Sequence, residues 1–304
     1  MSPVTESVLP GLRQAVRAGF PAVVDELSAL VGIPAMAWDS FDPSELHRAA
    51  REVAGLIRDA GIPNVEIHQA PRPDGTPGAP AVVGRRPAQP GKPTILLYAH
   101  YDVQPAGDPD LWVSPPFAAV ARDGRLWGRG VADNKAGVLP HCAAVRTVLR
   151  VLGDGFGVGV TILIDGEEEV GSPSLPLLLQ RVGGDLRADV LVVADSGNWR
   201  VGVPALTTSL RALVLGTIEV RVLDHALHSG TYGGPLVDAI AALSRLLATL
   251  HHDDGSVAVP GLVATEEPGP SLSEAEFRAD SGVRPASPSP APAASPHGCG
   301  RSPP

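Results

Sequence analysis

The decapeptide LLYAHYDVQP, residues 96–105, starts as an apolar run and ends on a histidine and an aspartate two positions apart. Its apolar half belongs to TILLYA (94–99), one of three short unbroken apolar runs; the others are VTILI (160–164) and DVLVVA (189–194). Runs this short without polar alternation mark strands covered on both faces, the pattern of a parallel sheet. Helical segments at about 134–152 and 173–183 separate them, and that alternation predicts an α/β fold, a mixed and mostly parallel sheet flanked by helices.

Working outward, DPSELHRAAREVAGLIRDAG (42–61) predicts an amphipathic helix. Asp42 stands as its N-cap, Pro43 in its first turn and Glu45 at the capping-box position. Leu46, Ala50, Val53 and Ile57 share its apolar face, and Gly61 closes it. A less regular helix spans roughly 6–31, and Asp123-Gly124 between alternating residues predicts a hairpin. After residue 206 the texture changes: LRALVLGTIEVRVL reads as a half-exposed antiparallel strand and 235–251 as an amphipathic helix. RPASPSPAPAASPHGCGRSPP carries seven prolines in 21 residues, too little apolar surface to offset ordering entropy. The expected organisation is therefore a main domain at 1–205, a partial α+β domain at 206–267 and a disordered tail at 268–304.

Composition narrows the function classes. A formal net charge of -9 without any Lys/Arg-rich run argues against a nucleic-acid partner. No stretch of 18 consecutive apolar residues and no basic start with an apolar h-region is present, so a cytoplasmic protein without a membrane span is expected. Cys142 and Cys299 are the two cysteines, which makes a disulfide framework improbable and leaves any metal to histidine and carboxylates.

Such residues stand at the carboxyl ends of the three apolar runs: His100 and Asp102, Glu167-Glu168-Glu169, and Asp195. Ligands of open α/β sheets bind beyond those ends. Asp133, in GRGVADNKAG, precedes a helix and taken alone reads as a cap; the glutamate run taken alone reads as a solvated loop. Four coincidences together favour a site. Imidazole and carboxylate suit Zn²⁺ or Mn²⁺, and two ions about 3.5–4 Å apart need a bridging carboxylate, for which Asp133 is placed. Residues i and i+2 of an extended segment point the same way, so Asp102 can orient His100 through its other ring nitrogen. Of Glu168 and Glu169, one can bind metal while its neighbour serves as general base.

AHYDVQP, LWGRGVADNKAG, DGEEEVGS and ADSGNW, in this order, resemble the M20 family of metallopeptidases, and HYDVQP, ADNK and HSGTYGG resemble its carnosinase-like dipeptidase branch. The resemblance covers about 10–260. It implies a zinc-exopeptidase-like catalytic domain with a lid and dimerisation domain, and hydrolysis of dipeptides or short peptides by a metal-bridged hydroxide. It implies that His100 and Asp195 hold one divalent ion and Glu169 the other, with Asp133 bridging through a cis Asp133–Asn134 peptide. Zn²⁺, Mn²⁺ or Co²⁺ would serve. Glu168 would be the base, and His228 of HSGTYGG would stabilise the oxyanion in the active site of a homodimer partner. His251 and His252 match no motif and read as surface residues, while His141 and Cys142 read as packing residues.

Family members return to the catalytic domain after the small one and draw from it a last histidine ligand. No such return is read here, and His297 lies in the Pro-rich tail. The expectation is a C-terminally truncated or frameshifted member with an incomplete second metal site, an exposed apolar sheet edge and little or no peptidase activity. Two other readings stand beside it. One is a non-catalytic fragment that binds one metal through His100, Asp133 and Asp195 or pairs with a full-length relative, and the other an M20 deacylase of N-acyl amino acids.

Overall fold

At the heart of the five-stranded sheet is the parallel pair β3 (Thr94–His100) and β6 (Gly159–Asp165). The computed structural model describes residues 3–207, 210, 213, 215–262 and 273–283. The sheet has the order β1-β2-β6-β3-β7, with β1 at Asn64–His68, β2 at Ala81–Arg86 and β7 at Val190–Val193. Two contacts are antiparallel (β1 with β2, β2 with β6) and two are parallel (β6 with β3, β3 with β7). The sheet is thus mixed, as expected, with its parallel half where the three apolar runs meet.

β6 shows why an unbroken apolar run makes a strand here. Successive side chains alternate between faces: Ile162 and Ile164 join one buried cluster, Leu163 the other. The first cluster is formed with α1 (Pro3–Val31), α2 (Ser44–Asp59) and α3 (Lys135–Leu152), through Leu30, Val53, Ile57, Val138 and Cys142. The second is formed with α4 (Leu175–Val182), through Leu178 and Val182. Both faces are covered, so all seven residues of β6 are buried.

β7 departs from that expectation. Its four apolar residues are 41–59 % exposed: among the described residues it has β3 as its one neighbouring strand, and it joins neither buried cluster. The hairpin forms as read, β4 (Val120–Arg122) with β5 (Arg125–Trp127), and Asp123 and Gly124 both take positive φ in the turn. Asp42 accepts the Ser44 N–H at 2.9 Å, but the N-cap of α2 is Pro43, one residue later than expected, and Glu45 pairs with Arg48 at 3.2 Å instead of closing a capping box. His141 Nε2 donates to the Tyr98 carbonyl at 3.0 Å, and Cys142 is a buried free thiol, pushed up to about 12 by burial.

The chain divides into two compact units, Met1–Gly197 and Asn198–Pro304. The second contains α5 (Ser229–Tyr232), α6 (Ala239–Ala248) and α7 (Glu274–Ser281). Of the strand expected within 210–223, residues 211, 212 and 214 lie outside the described residues, and among the described residues 215–223 pair with no strand. α6 is shorter than expected, because the Asp238 carboxylate accepts the Ala241 N–H at 2.8 Å and sets its start. His251 and His252 follow it, exposed. The assignment of everything after 268 as disordered is also corrected in part. Ser273 and Glu276 form a reciprocal capping box that starts α7, and Gly282 in the left-handed region ends it. Residues 263–272 and 284–304, including Cys299 and His297, lie outside the described residues. Among the described residues no helix is long and apolar enough to cross a membrane.

Candidate metal centre

Parallel register brings the strand ends level. His100 pairs with Asp165 across β3 and β6, and the Ala194 N–H donates to the Tyr98 carbonyl across β3 and β7 (2.9 Å). The residues just beyond, His100, Glu168 and Asp195, therefore converge, and the Asp133–Asn134 peptide, which is cis, brings Asp133 to the same place. His100 Nε2 lies 3.3 Å from Asp133 Oδ1, 3.5 Å from Glu168 Oε2 and 3.7 Å from Asp195 Oδ1. Among the described residues two groupings have the spacing to hold a cation: His100, Glu168 and Asp195, and His100, Asp133 and Glu169.

Asp102 does more than orient the imidazole. Its Oδ1 lies 3.1 Å from His100 Nδ1 and also accepts the Glu168 N–H (3.1 Å), while its Oδ2 accepts the Glu169 N–H (3.1 Å). A carboxylate oxygen accepts from the ring N–H, so Nδ1 carries a proton and Nε2 faces the other carboxylates. One fully buried side chain thus fixes the histidine and the turn that bears both glutamates.

Several residues of this framework are given no role by the sequence reading. Asn134 accepts the His100 N–H at 3.2 Å and donates to the Ala194 carbonyl (2.6 Å) and to Asp195 Oδ1 (2.8 Å), stitching β3 to β7. A side chain at Gly137 would collide with Asn134 and the Ala194 carbonyl, so the tight approach requires glycine. Lys135 is fully buried and donates to the Leu30 (2.9 Å) and Ile33 (2.6 Å) carbonyls at the end of α1. Gln104 donates to Glu169 Oε2 at 2.7 Å. Glu167, which the sequence groups with its two neighbours, is fully buried away from solvent.

The charges respond to this crowding. Burial works against the His100 imidazolium, but Asp102 and Asp195 outweigh it and push the group up to about 11. The imidazole in turn holds Asp195 below the usual carboxylate range. Glu168 and Glu169 are both raised, by burial first; His100 eases Glu168, and the Gln104 amide eases Glu169. Burial lowers Lys135 to about 7, against the pull of Asp102 and Glu45.

These residues fit a divalent cation. His100 Nε2 is buried without a hydrogen-bond partner, and the atoms it faces are carboxylate oxygens, the donor set that borderline and hard ions accept. His228 lies in the second unit, where it precedes α5, exposed, with its Nδ1 3.5 Å from Thr231 Oγ1.

Residues 96–289, more than half of the chain, match the peptidase family M20/M25/M40. The chain belongs to peptidase family M20. The chain is 34% identical over 237 residues to the cysteinylglycine-S-conjugate dipeptidase of Corynebacterium striatum, covering 77% of this chain and 50% of that protein. It is 35% identical over 235 residues to the Beta-Ala-His dipeptidase of Rattus norvegicus, covering 74% of this chain and 48% of that protein. Human carnosine dipeptidase 1 has a similar fold, with TM-score 0.68 and 28% identity over 91% of this chain and 61% of that chain. This M20 chain spans about half the length of the curated relatives it matches.

Proposed function

We propose that this M20 chain carries the divalent-metal centre of a dipeptidase, built from His100, Asp133, Glu168, Glu169 and Asp195, and acts on dipeptides or short peptides. The observation that carries the reading is the buried, unpartnered His100 Nε2 facing three carboxylates at the strand ends. The names of the relatives supply the substrate class.

When bound, divalent ions such as Zn²⁺ or Mn²⁺ supply Lewis-acid polarisation of a peptide carbonyl and acidify water. His100 and Asp195 would hold one ion, Glu169 the other, and Asp133 would lie between them. His100 has a single free nitrogen, since Nδ1 is committed to Asp102, so it serves one ion. Among the described residues the second ion then has Asp133 and Glu169 alone, fewer than the three protein ligands usual for a catalytic site. On these residues alone, the ion held by His100 and Asp195 would be the tight one and the other the weak one. Glu168, raised by burial, takes a proton from water and returns it to the leaving amine. Asp102 keeps the His100 proton on Nδ1. His228 would steady the developing oxyanion in a partner subunit of a cytoplasmic homodimer.

The test is an assay of the purified chain on Cys-Gly and β-Ala-His with Zn²⁺ or Mn²⁺. Metal-dependent turnover is expected, falling about 10²–10⁴-fold in Glu168→Ala. Turnover that survives chelation, or that Glu168→Ala leaves intact, contradicts the reading. No turnover together with a single bound ion supports a non-catalytic metal-binding fragment.

A further inference from the structure

The run Glu167-Glu168-Glu169 contributes two carboxylates to the candidate centre and withholds the third. The Glu167 side chain has no exposure to solvent. Its Oε1 accepts the Ser174 N–H at 2.6 Å, and its Oε2 accepts the Ala79 N–H at 3.0 Å and lies 3.3 Å from Arg72 Nε. Arg72 continues outward, donating to Asp39 Oδ1 (2.8 Å) and the Ala37 carbonyl (3.0 Å).

We propose that Glu167, braced by Arg72, is a positioning residue that sets how tightly the neighbouring carboxylates hold a cation. The inference rests on the reading of the site as a metal centre. Glu168 and Glu169 are crowded by each other and by Asp102, Asp133 and Asp195, so the turn that presents them works against repulsion. Asp102 pins the turn from the side of β3, through the Glu168 and Glu169 N–H groups. Glu167 pins it from the other side. Its own carbonyl closes the turn, accepting the Ser172 N–H at 2.9 Å and the Val170 N–H at 3.3 Å. Its carboxylate ties that residue to the segment leading into β2 and to the start of α4. A carboxylate so buried needs a counter-charge, and Arg72 is the one cationic side chain bonded to it among the described residues. The guanidinium then links the turn to loop 37–39, far from it in sequence.

The experiment is calorimetric titration of Mn²⁺ into the full chain as wild type, Glu167→Gln, Arg72→Gln and Arg72→Lys, with circular dichroism to confirm folding. Glu167→Gln keeps the size and loses the charge, and is expected to bind Mn²⁺ about 10–100-fold more weakly, the usual effect of losing a residue that orients ligands. Arg72→Gln should follow in the same direction, and Arg72→Lys should recover part of the loss. A pair that serves only folding would lower the melting temperature without moving affinity. Folded Glu167→Gln with wild-type affinity overturns the proposal. If that variant does not fold, Arg72→Gln decides by the same criterion, and if neither folds the pair is a folding determinant and the proposal fails. Absence of Mn²⁺ binding by the wild type is a different result: it removes the metal-centre reading, and this inference with it.

Discussion

β6 and β7 flank the same strand, run parallel to it and are made of the same kinds of residue, yet every residue of β6 is buried and every residue of β7 is exposed. The difference lies in the neighbours. β6 has a strand on each side and helices on both faces, whereas among the described residues β7 has β3 alone beside it and joins neither buried cluster. An apolar run thus reports a capacity for burial, and the elements around it decide whether the capacity is used. The same contrast continues into the site. Beyond β6 the turn bearing Glu168 and Glu169 is held by Asp102 and Glu167, while beyond β7 Asp195 is held by Asn134 and by its pairing with His100.

The sharpest way to break this comparison is at Asp195. Asp195→Ala removes an oxygen donor from the grouping around His100, and loss of the tight ion is expected, read as a fall in Mn²⁺ affinity of more than about 100-fold. Retention of a tight ion would show that the β6 side holds the cation unaided. Next in size is the contrast in packing. Ile162→Ala in β6 should cost about 2–5 kcal/mol, the range for large-to-small changes in a core. Val192→Ala in β7, exposed already, should fall within about 0.5 kcal/mol, as surface substitutions do. Urea denaturation measures both, and equal costs would mean that β7 is covered in solution.

What could be read from the chain alone follows the same line. The apolar runs located β3, β6 and β7, and Asp123-Gly124 located the hairpin, because those signals are local. β1 and β2 were not found: NVEIH mixes polar residues into the strand, and AVVGRR leaves the apolar pattern after three residues. Ser273 and Glu276 hold a capping box that was legible, yet the prolines beyond it drew the whole segment into a disordered reading. His100, Asp133, Glu168, Glu169 and Asp195 could be named because they stand just past recognisable strands or before a helix. The burial of Glu167 could not, since its partners Arg72 and Ala79 lie 95 and 88 residues away. Asn134 hides for a like reason, its bonds reaching 34 and 61 residues.

A smaller effect tests the β7 side alone. Asn134 is the amide that aligns Asp195 and the His100 backbone, and Asn134→Ala should weaken Mn²⁺ binding about 10-fold, the lower end for residues that orient ligands. Asp102→Asn, which disturbs the β6 turn and His100 together, should cost more. The opposite order would place the controlling support on β7.

The gentlest probe is pH. In the metal-free protein His100 sits at about 11, against 6.5 for an ordinary histidine, because Asp102 and Asp195 outweigh its burial. A group raised on folding stabilises fully below its unfolded value and loses that contribution as pH rises through its folded value. The chelated protein should therefore lose melting temperature between pH about 6.5 and 11 on account of His100. Cation binding needs the neutral imidazole, so it must displace that proton, and affinity should rise with pH over the same window. The raised Glu168 and Glu169 act in the same direction, since they too bind a cation only when ionised. The two curves diverge: between pH 7 and 9 the gap in melting temperature between Mn²⁺-loaded and chelated protein should widen. Titrations in buffers of different ionisation enthalpy should show about one proton released per tight ion. Asp195→Asn removes the β7 partner of the imidazolium, so it should narrow the window and reduce proton release at alkaline pH. If the variant releases as many protons as the wild type, the charge on His100 is held from the Asp102 side, and the two sides of the site are less alike than their strands.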